Sequence, residues 1–149
     1  MYHAVKSDFE KVKEIFYLHK KWFPHVRTDY MKRMIAKKNL IFENDVVITY
    51  NFYKRKQKIG DIQAFKGDCI LHQIVAKTKG TASDVLQRFF KFVNHNPLGK
   101  RVYLSVRSDN EMAKNFYLKN NMKLIGKTSW SKGTLPGDVF VYDPWTYET

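Results

Sequence analysis

The sequence has one cysteine, Cys69, and its 14 acids are outnumbered by 27 lysines and arginines. A lone cysteine forms no internal disulfide, and without a CxxC pair or a Cys/His cluster no metal site is expected. Its neighbours Ile70 and Leu71 place it in a strand, as a buried structural residue. No apolar run approaches the roughly 18–20 residues that a membrane helix needs, so no membrane association is expected. Met1-Tyr2-His3-Ala4-Val5 lacks a basic stretch followed by an apolar core and does not read as a secretory signal. These absences together fit a cytoplasmic protein in a reducing setting. Repeats, low-complexity tracts and Ser/Gly-rich linkers are also missing, so residues 1–149 read as a single domain, monomeric or homodimeric.

What is present is a chain of one-domain size with 44% hydrophobic and 15% aromatic residues, enough for one sizeable core. The net charge of +13 favours polyanionic partners. It is unevenly spread. Lys20 to Lys38 holds seven basic residues against the single acid Asp29, and Lys54, Arg55, Lys56 and Lys58 form a second cluster. Solvated faces would account for such clusters equally well.

Met1–Val5 reads as a short strand. Ser7-Asp8-Phe9-Glu10 has capping-box spacing and opens a helix whose stripe is Phe9, Val12, Ile15, Phe16 and His19. Pro24 ends that region. Thr28 or Asp29 then caps a helix to about Lys37, with Tyr30, Met31, Met34 and Ile35 as its apolar residues. Strands at Asn39–Glu43 and Val46–Tyr53 flank Asn44-Asp45, a hairpin turn. Lys54–Asp68 reads as a loop with one ill-defined strand. Cys69–Ala76 reads as a buried central strand, Ser83–Val93 as a helix, Asn94–Lys100 as a turn and Val102–Val106 as a strand. Asn110–Asn120 reads as a helix with Met112, Ala113, Phe116 and Tyr117 on one side. Met122–Ile125 is a strand ended by Gly126, and a loop over Ser131–Asp138 leads to the strand Val139–Tyr142. The order is mixed α/β around one sheet.

The most informative segment is the loop between the central strand and the next helix, Lys77-Thr78-Lys79-Gly80-Thr81-Ala82. A helix N-terminus offers unsatisfied amides and partial positive charge. Small residues just ahead of it let a diphosphate approach the backbone. Lys77 and Lys79 add charge; Thr78 and Thr81 add hydroxyl donors. An ordinary strand-to-helix turn has the same appearance. Neither the Walker spacing nor GxGxxG is present.

The loop resembles the coenzyme-A signature of the GNAT acyltransferases, Gln/Arg-x-x-Gly-x-Gly/Ala, here Lys77-x-x-Gly80-x-Ala82. The next strand and helix carry Asn110, Ala113, Phe116 and Tyr117 at the spacing of that family's second block. Asn121-Met122 stands where the family usually has Gly-Phe. The resemblance covers about Cys69–Gly126. It implies a central mixed β-sheet of about six to seven strands flanked by about four helices, with acetyl-coenzyme A between splayed strands. It also implies an N-acetyltransferase acting on a primary amine, with acetyl-coenzyme A as co-substrate and no metal.

In that setting Tyr117 matches the tyrosine placed near the coenzyme sulfur, as general acid; it also fits a core aromatic. Asn110 and its neighbours Ala113 and Phe116 fall where the coenzyme is contacted, and Asn110 also fits an N-cap. A backbone amide near Ile74 or Val75 would polarise the carbonyl. His72 is a candidate base with a suitable ordinary pKa, although a histidine in an apolar strand is commonly structural. The acceptor segments mix cations and rings: Lys20, Lys21, Trp22, Phe23, His25 and Arg27, then Tyr50, Phe52, Tyr53, Lys54 and Arg55, later Trp130 and Lys132. That mixture suits a nucleic acid or an acidic protein better than a polyamine or aminoglycoside. The alternative is a non-catalytic nucleic-acid-binding or nucleic-acid-modifying domain on the same fold.

Overall fold

Residues 1–95 and 100–146 are described by the structure, a computed structural model, so the predicted turn at Pro97 and Gly99 lies outside the described residues. The chain forms α1 (Phe9–Leu18), α2 (Thr28–Ala36), β1 (Leu40–Glu43), β2 (Val46–Phe52), β3 (Gln57–Ile59), β4 (Ile62–Ala64), β5 (Cys69–Ala76), α3 (Ala82–Val93), β6 (Val102–Arg107), α4 (Glu111–Lys119), β7 (Lys123–Trp130) and β8 (Leu135–Tyr142). Six strands make a mixed sheet in the order β1-β2-β5-β6-β8-β7, and β3 and β4 form a separate two-stranded sheet. Two compact units result: Met1–Tyr50 with His72–Phe89, and Asn51–Leu71 with Phe90 onward.

In the first unit, Val12, Ile15 and Phe16 of α1 and Met31, Met34 and Ile35 of α2 pack with Leu40, Val47 and Val75. The three- and four-residue spacing within each helix produces these stripes. The predicted cap at Ser7 does not form. A 3₁₀ turn, Lys6–Asp8, precedes α1, and the Asp8 carboxylate reaches back to accept the Val5 amide at 2.9 Å. A charged acceptor three residues along thus takes the capping role. The predicted strand Met1–Val5 shrinks to one bridge, His3 opposite Ile41, because that turn diverts the chain. Asn44 and Asp45, at φ 51° and 57°, make the tight turn of the β1–β2 hairpin, as their side chains tolerate.

β5 keeps its predicted bounds and loses its predicted uniform burial. Cys69, Leu71, Gln73 and Val75 point inward, whereas His72 is exposed and Ile74 half-buried. The period-2 alternation of a strand splits the apparent apolar run into two faces. Helix α3 begins at Ala82, one residue before the expected start, and buries Val85, Leu86 and Phe89.

In the second unit β5 opens parallel to β6, with Cys69 opposite Val102 and Ile70 opposite Tyr103. β6 pairs antiparallel with β8 along its length, and β8 with β7. Lys54–Asp68 is an ordered excursion. β3 and β4 form a hairpin, and its base is closed by Tyr53 N–H to Asp68 O and Gly67 N–H to Tyr53 O, each 2.8 Å. Gly126 does not end its strand. It sits in a register shift within β7, where a Cβ would lie 2.4 Å from both Asp61 Oδ1 and Ile62 Cγ1. Only glycine lets β7 and the β3–β4 hairpin approach that closely. The predicted Ser131–Asp138 loop is a four-residue turn, because Ser131, Lys132 and Gly133 all take positive φ and let β8 start at Leu135.

Candidate active site

The loop after β5 is anchored at its base and open at its tip. His19 Nε2 lies 2.8 Å from the Ala76 carbonyl oxygen, and the Lys77 amide donates to Asp45 O at 2.9 Å. The predicted helix stripe ended at His19, and Asp45 was visible only as a turn residue; both serve here as clamps. Thr81 donates its hydroxyl to Thr78 O at 2.9 Å, which closes the loop on itself and commits that proton inward. Lys77, Thr78, Lys79 and Gly80 are exposed, and Thr81 and Ala82 are half-buried. Gly80 has φ 94°, and a Cβ there would meet no atom within 4 Å. The backbone therefore faces open space where α3 presents its first amides. Of the two loop lysines, Lys77 lies 3.9 Å from Glu14, a loose surface contact worth little.

Along β5, His72 and Gln73 stand on opposite faces. His72 keeps an exposed edge, while protein packed around the rest of the residue strips water from it and draws its pKa below the ordinary histidine value, so the neutral form is favoured. Gln73, 8% exposed, was not singled out by sequence. Its Oε1 accepts from the Thr49 hydroxyl and from the Tyr30 hydroxyl, the latter at 3.0 Å, and its own N–H donates to Thr49 Oγ1 at 3.1 Å. Gln73 lines a pocket of about 230 Å³ with His25, Val26, Arg27, Asp29, Tyr30 and Arg33. A wider groove of about 520 Å³ shares Val26, Arg27 and Asp29 and runs along Phe16, Tyr17 and Met31. Cations and rings of this region pair with one another: Lys20 Nζ stands 4.5 Å from the Tyr17 ring centre and Lys21 Nζ 5.1 Å from that of Trp22.

In the second unit Asn110 caps α4, its Oδ1 accepting the Ala113 amide at 3.2 Å. Asn121 at φ 68° takes the left-handed residue after the helix, and Asn120 and Met122 both donate their amides to Tyr117 O. Ala113 and Phe116 are half-buried, and Met112, predicted on the apolar side, is 78% exposed. Tyr117 is buried with its ring centre 5.8 Å from Phe140 and 5.5 Å from Phe116. Burial pushes the phenol pKa up, so it stays protonated. Trp130, expected among the acceptor aromatics, lies across Gly137, where a Cβ would come within 2.5 Å of its ring.

No family model matches the sequence. A search among curated proteins finds no match either. Solved structures do match across nearly the whole chain. A GNAT-family acetyltransferase from Bacillus cereus superposes with TM-score 0.68 at 17% identity, over 95% of this chain and 94% of that one. Arabidopsis thaliana NAA60 in complex with acetyl-CoA gives TM-score 0.68 at 14% identity, over 95% and 96%. A ribosomal-protein-alanine N-acetyltransferase from Brucella melitensis gives TM-score 0.70 at 10% identity, over 95% and 97%. At such identities the agreement is one of backbone, and with a six-stranded mixed sheet and four helices in common order it is specific: the chain has the fold of the GNAT acetyltransferases.

Proposed function

We propose that the chain is an acyl-coenzyme-A-dependent N-acyltransferase that moves an acetyl group from acetyl-coenzyme A to a primary amine by direct transfer. The observation that carries the reading is the Lys77–Ala82 loop. Its base is clamped, Gly80 is at φ 94° with open space before it, and α3 starts behind it. Such a loop suits a diphosphate, with Thr78, Lys79, Gly80, Thr81 and Ala82 as its main-chain contacts and Lys77 and Lys79 adding charge. Bound acetyl-coenzyme A supplies the activated thioester and the sulfur leaving group.

The remaining roles fall to residues of the chain. A main-chain amide near Ile74 or Val75 donates to the reacting carbonyl oxygen. His72, biased to its neutral form, takes the proton from the amine. Tyr117, held protonated by burial, gives a proton to the departing sulfur. Asn110, Ala113 and Phe116 contribute contacts to the coenzyme.

Acetyl-coenzyme A at about a hundredfold excess over Kd should raise the melting temperature by roughly 5 °C or more. Gly80→Glu should abolish that rise by filling and charging the cradle, and retained binding would remove the loop from the reading. A wild type that ignores the coenzyme and binds DNA in a salt-sensitive way would instead make the chain a nucleic-acid-binding domain on this fold. Tyr117→Phe should lower turnover about 10–100-fold with coenzyme affinity unchanged. Equal turnover in the two proteins would leave Tyr117 as a core aromatic.

A further inference from the structure

We infer that the pocket between α2 and the inner face of β5 binds an oxyanion, a carboxylate or phosphate, carried by the acceptor amine; the assignment of that oxyanion to an acceptor rests on the acyltransferase reading above. Gln73 is the first ground. It is more than nine-tenths buried, and its oxygen is doubly engaged by Thr49 and Tyr30. Thr49 Oγ1 accepts the Gln73 backbone N–H and donates its own proton to Gln73 Oε1. In the structure Oε1 faces both hydroxyls, which leaves Nε2, with two protons, as the end that has no acceptor among the described residues. Nε2 reaches solvent on the pocket wall, and a donor held in place there offers a ligand's acceptor atom the position of a water.

The charges around it are the second ground. Arg27 and Arg33 line the same pocket against one acid, Asp29, and neither arginine is in an ion pair among the described residues. The Arg33 guanidinium lies 5.6 Å from the Tyr30 ring centre, which orients its fork. His25 contributes a ring N–H. Planar guanidinium forks and an amide NH₂ match the two or three oxygens of a carboxylate or phosphate, and repel a polycation. Size is the third ground. About 230 Å³ is the size of a single oxyanion with a few carbons, while the adjoining groove, with Phe16, Tyr17 and Met31, takes a less polar remainder. The acceptor class is thus a small amine bearing an oxyanion, or one acidic residue of a peptide.

The test is a titration of the isotope-labelled protein at low salt with glutarate in one arm and inorganic phosphate in the other. It reads the Gln73 side-chain amide resonance, assigned by its loss in Gln73→Leu. A saturable shift is expected, and the Arg27→Gln/Arg33→Gln double variant should weaken binding about tenfold or more. Both arginines are on the surface, so the variant folds. Tighter glutarate binding assigns the oxyanion to a carboxylate, and tighter phosphate binding to a phosphate. A Gln73 amide that neither anion moves, or equal affinity in the double variant, overturns the pocket. The acetyl-coenzyme A melting shift, run on both proteins, separates the two readings. If it persists in the double variant, the lost anion site is distinct from the coenzyme loop; if it vanishes with anion binding, the pocket is overturned. Anion binding by a wild type that ignores the coenzyme keeps the pocket and removes the acyltransferase.

Discussion

Each unit of the molecule buries polar side chains, and one from each, Asp138 and Gln73, are treated in opposite ways. Asp138 in the second unit is 1% exposed, with Lys127 Nζ at 2.6 Å, Lys114 Nζ at 3.1 Å and the Ser108 hydroxyl at 3.0 Å. Those partners, Lys127 foremost, hold its pKa down to about 2. Gln73 in the first unit is neutral, its oxygen is engaged twice, and its nitrogen is left over beside a pocket. A buried charge must be closed off or it unfolds the protein, whereas a buried amide can keep one end open at tolerable cost. A buried charge matched by opposite charges therefore speaks of stability, and a half-partnered amide at a pocket wall speaks of ligand.

Asp138→Ala should give the largest effect, a loss of about 3 kcal/mol in urea unfolding, because two lysines lose their shared acceptor. Its pH signature follows from the depressed pKa. The stabilisation is complete above the ordinary carboxylate range and disappears as pH falls from about 4 toward 2, and Asp138→Asn should flatten the unfolding midpoint across that window. A variant as stable as wild type would break the contrast. Thr49→Val should cost about 1–2 kcal/mol, since the Gln73 oxygen loses one of its two donors and the backbone N–H its acceptor, and it should loosen the Gln73 side-chain amide in NMR. An unchanged amide would mean that Thr49 does not orient it. Lys127→Met should cost under about 1 kcal/mol, because this lysine is 68% exposed and Lys114 remains on the carboxylate. A larger loss would place the weight of the clamp on its outer member.

Much of this was legible in the residue pattern where a local rule acts alone. Asn44-Asp45 forms the predicted turn, Asn110 the predicted cap, and Asn121 the left-handed residue that replaces the usual glycine. The bounds of β5 were also readable, since its apolar run ends where the small and polar loop begins. What was hidden depends on partners distant in sequence. His72 drew attention for its pKa, yet the neighbour on the buried face, Gln73, depends on Thr49 and Tyr30, which are 24 and 43 residues away. Reading β5 at period 2 would have put Gln73 among Cys69, Leu71 and Val75 and flagged it as the polar residue on an apolar face. Ser7 lost its cap to Asp8 for a similar reason, because the extra 3₁₀ turn shifted the frame. Gly126 resembled a stop and is a packing site, because the hairpin it admits lies 65 residues upstream at Asp61.

Cys69 has a practical consequence. It is fully buried, and its thiol is kept protonated by desolvation, with Asp68 adding to the effect. The folded chain is therefore inert toward disulfide-exchange dyes, so the coenzyme thiol that the proposed reaction would release can be counted by such a dye without a background from the chain. The same reagent, applied to the chain alone, labels it only when β5 separates from its neighbours, and the labelling rate becomes a clock for opening at the strand that leads into the loop.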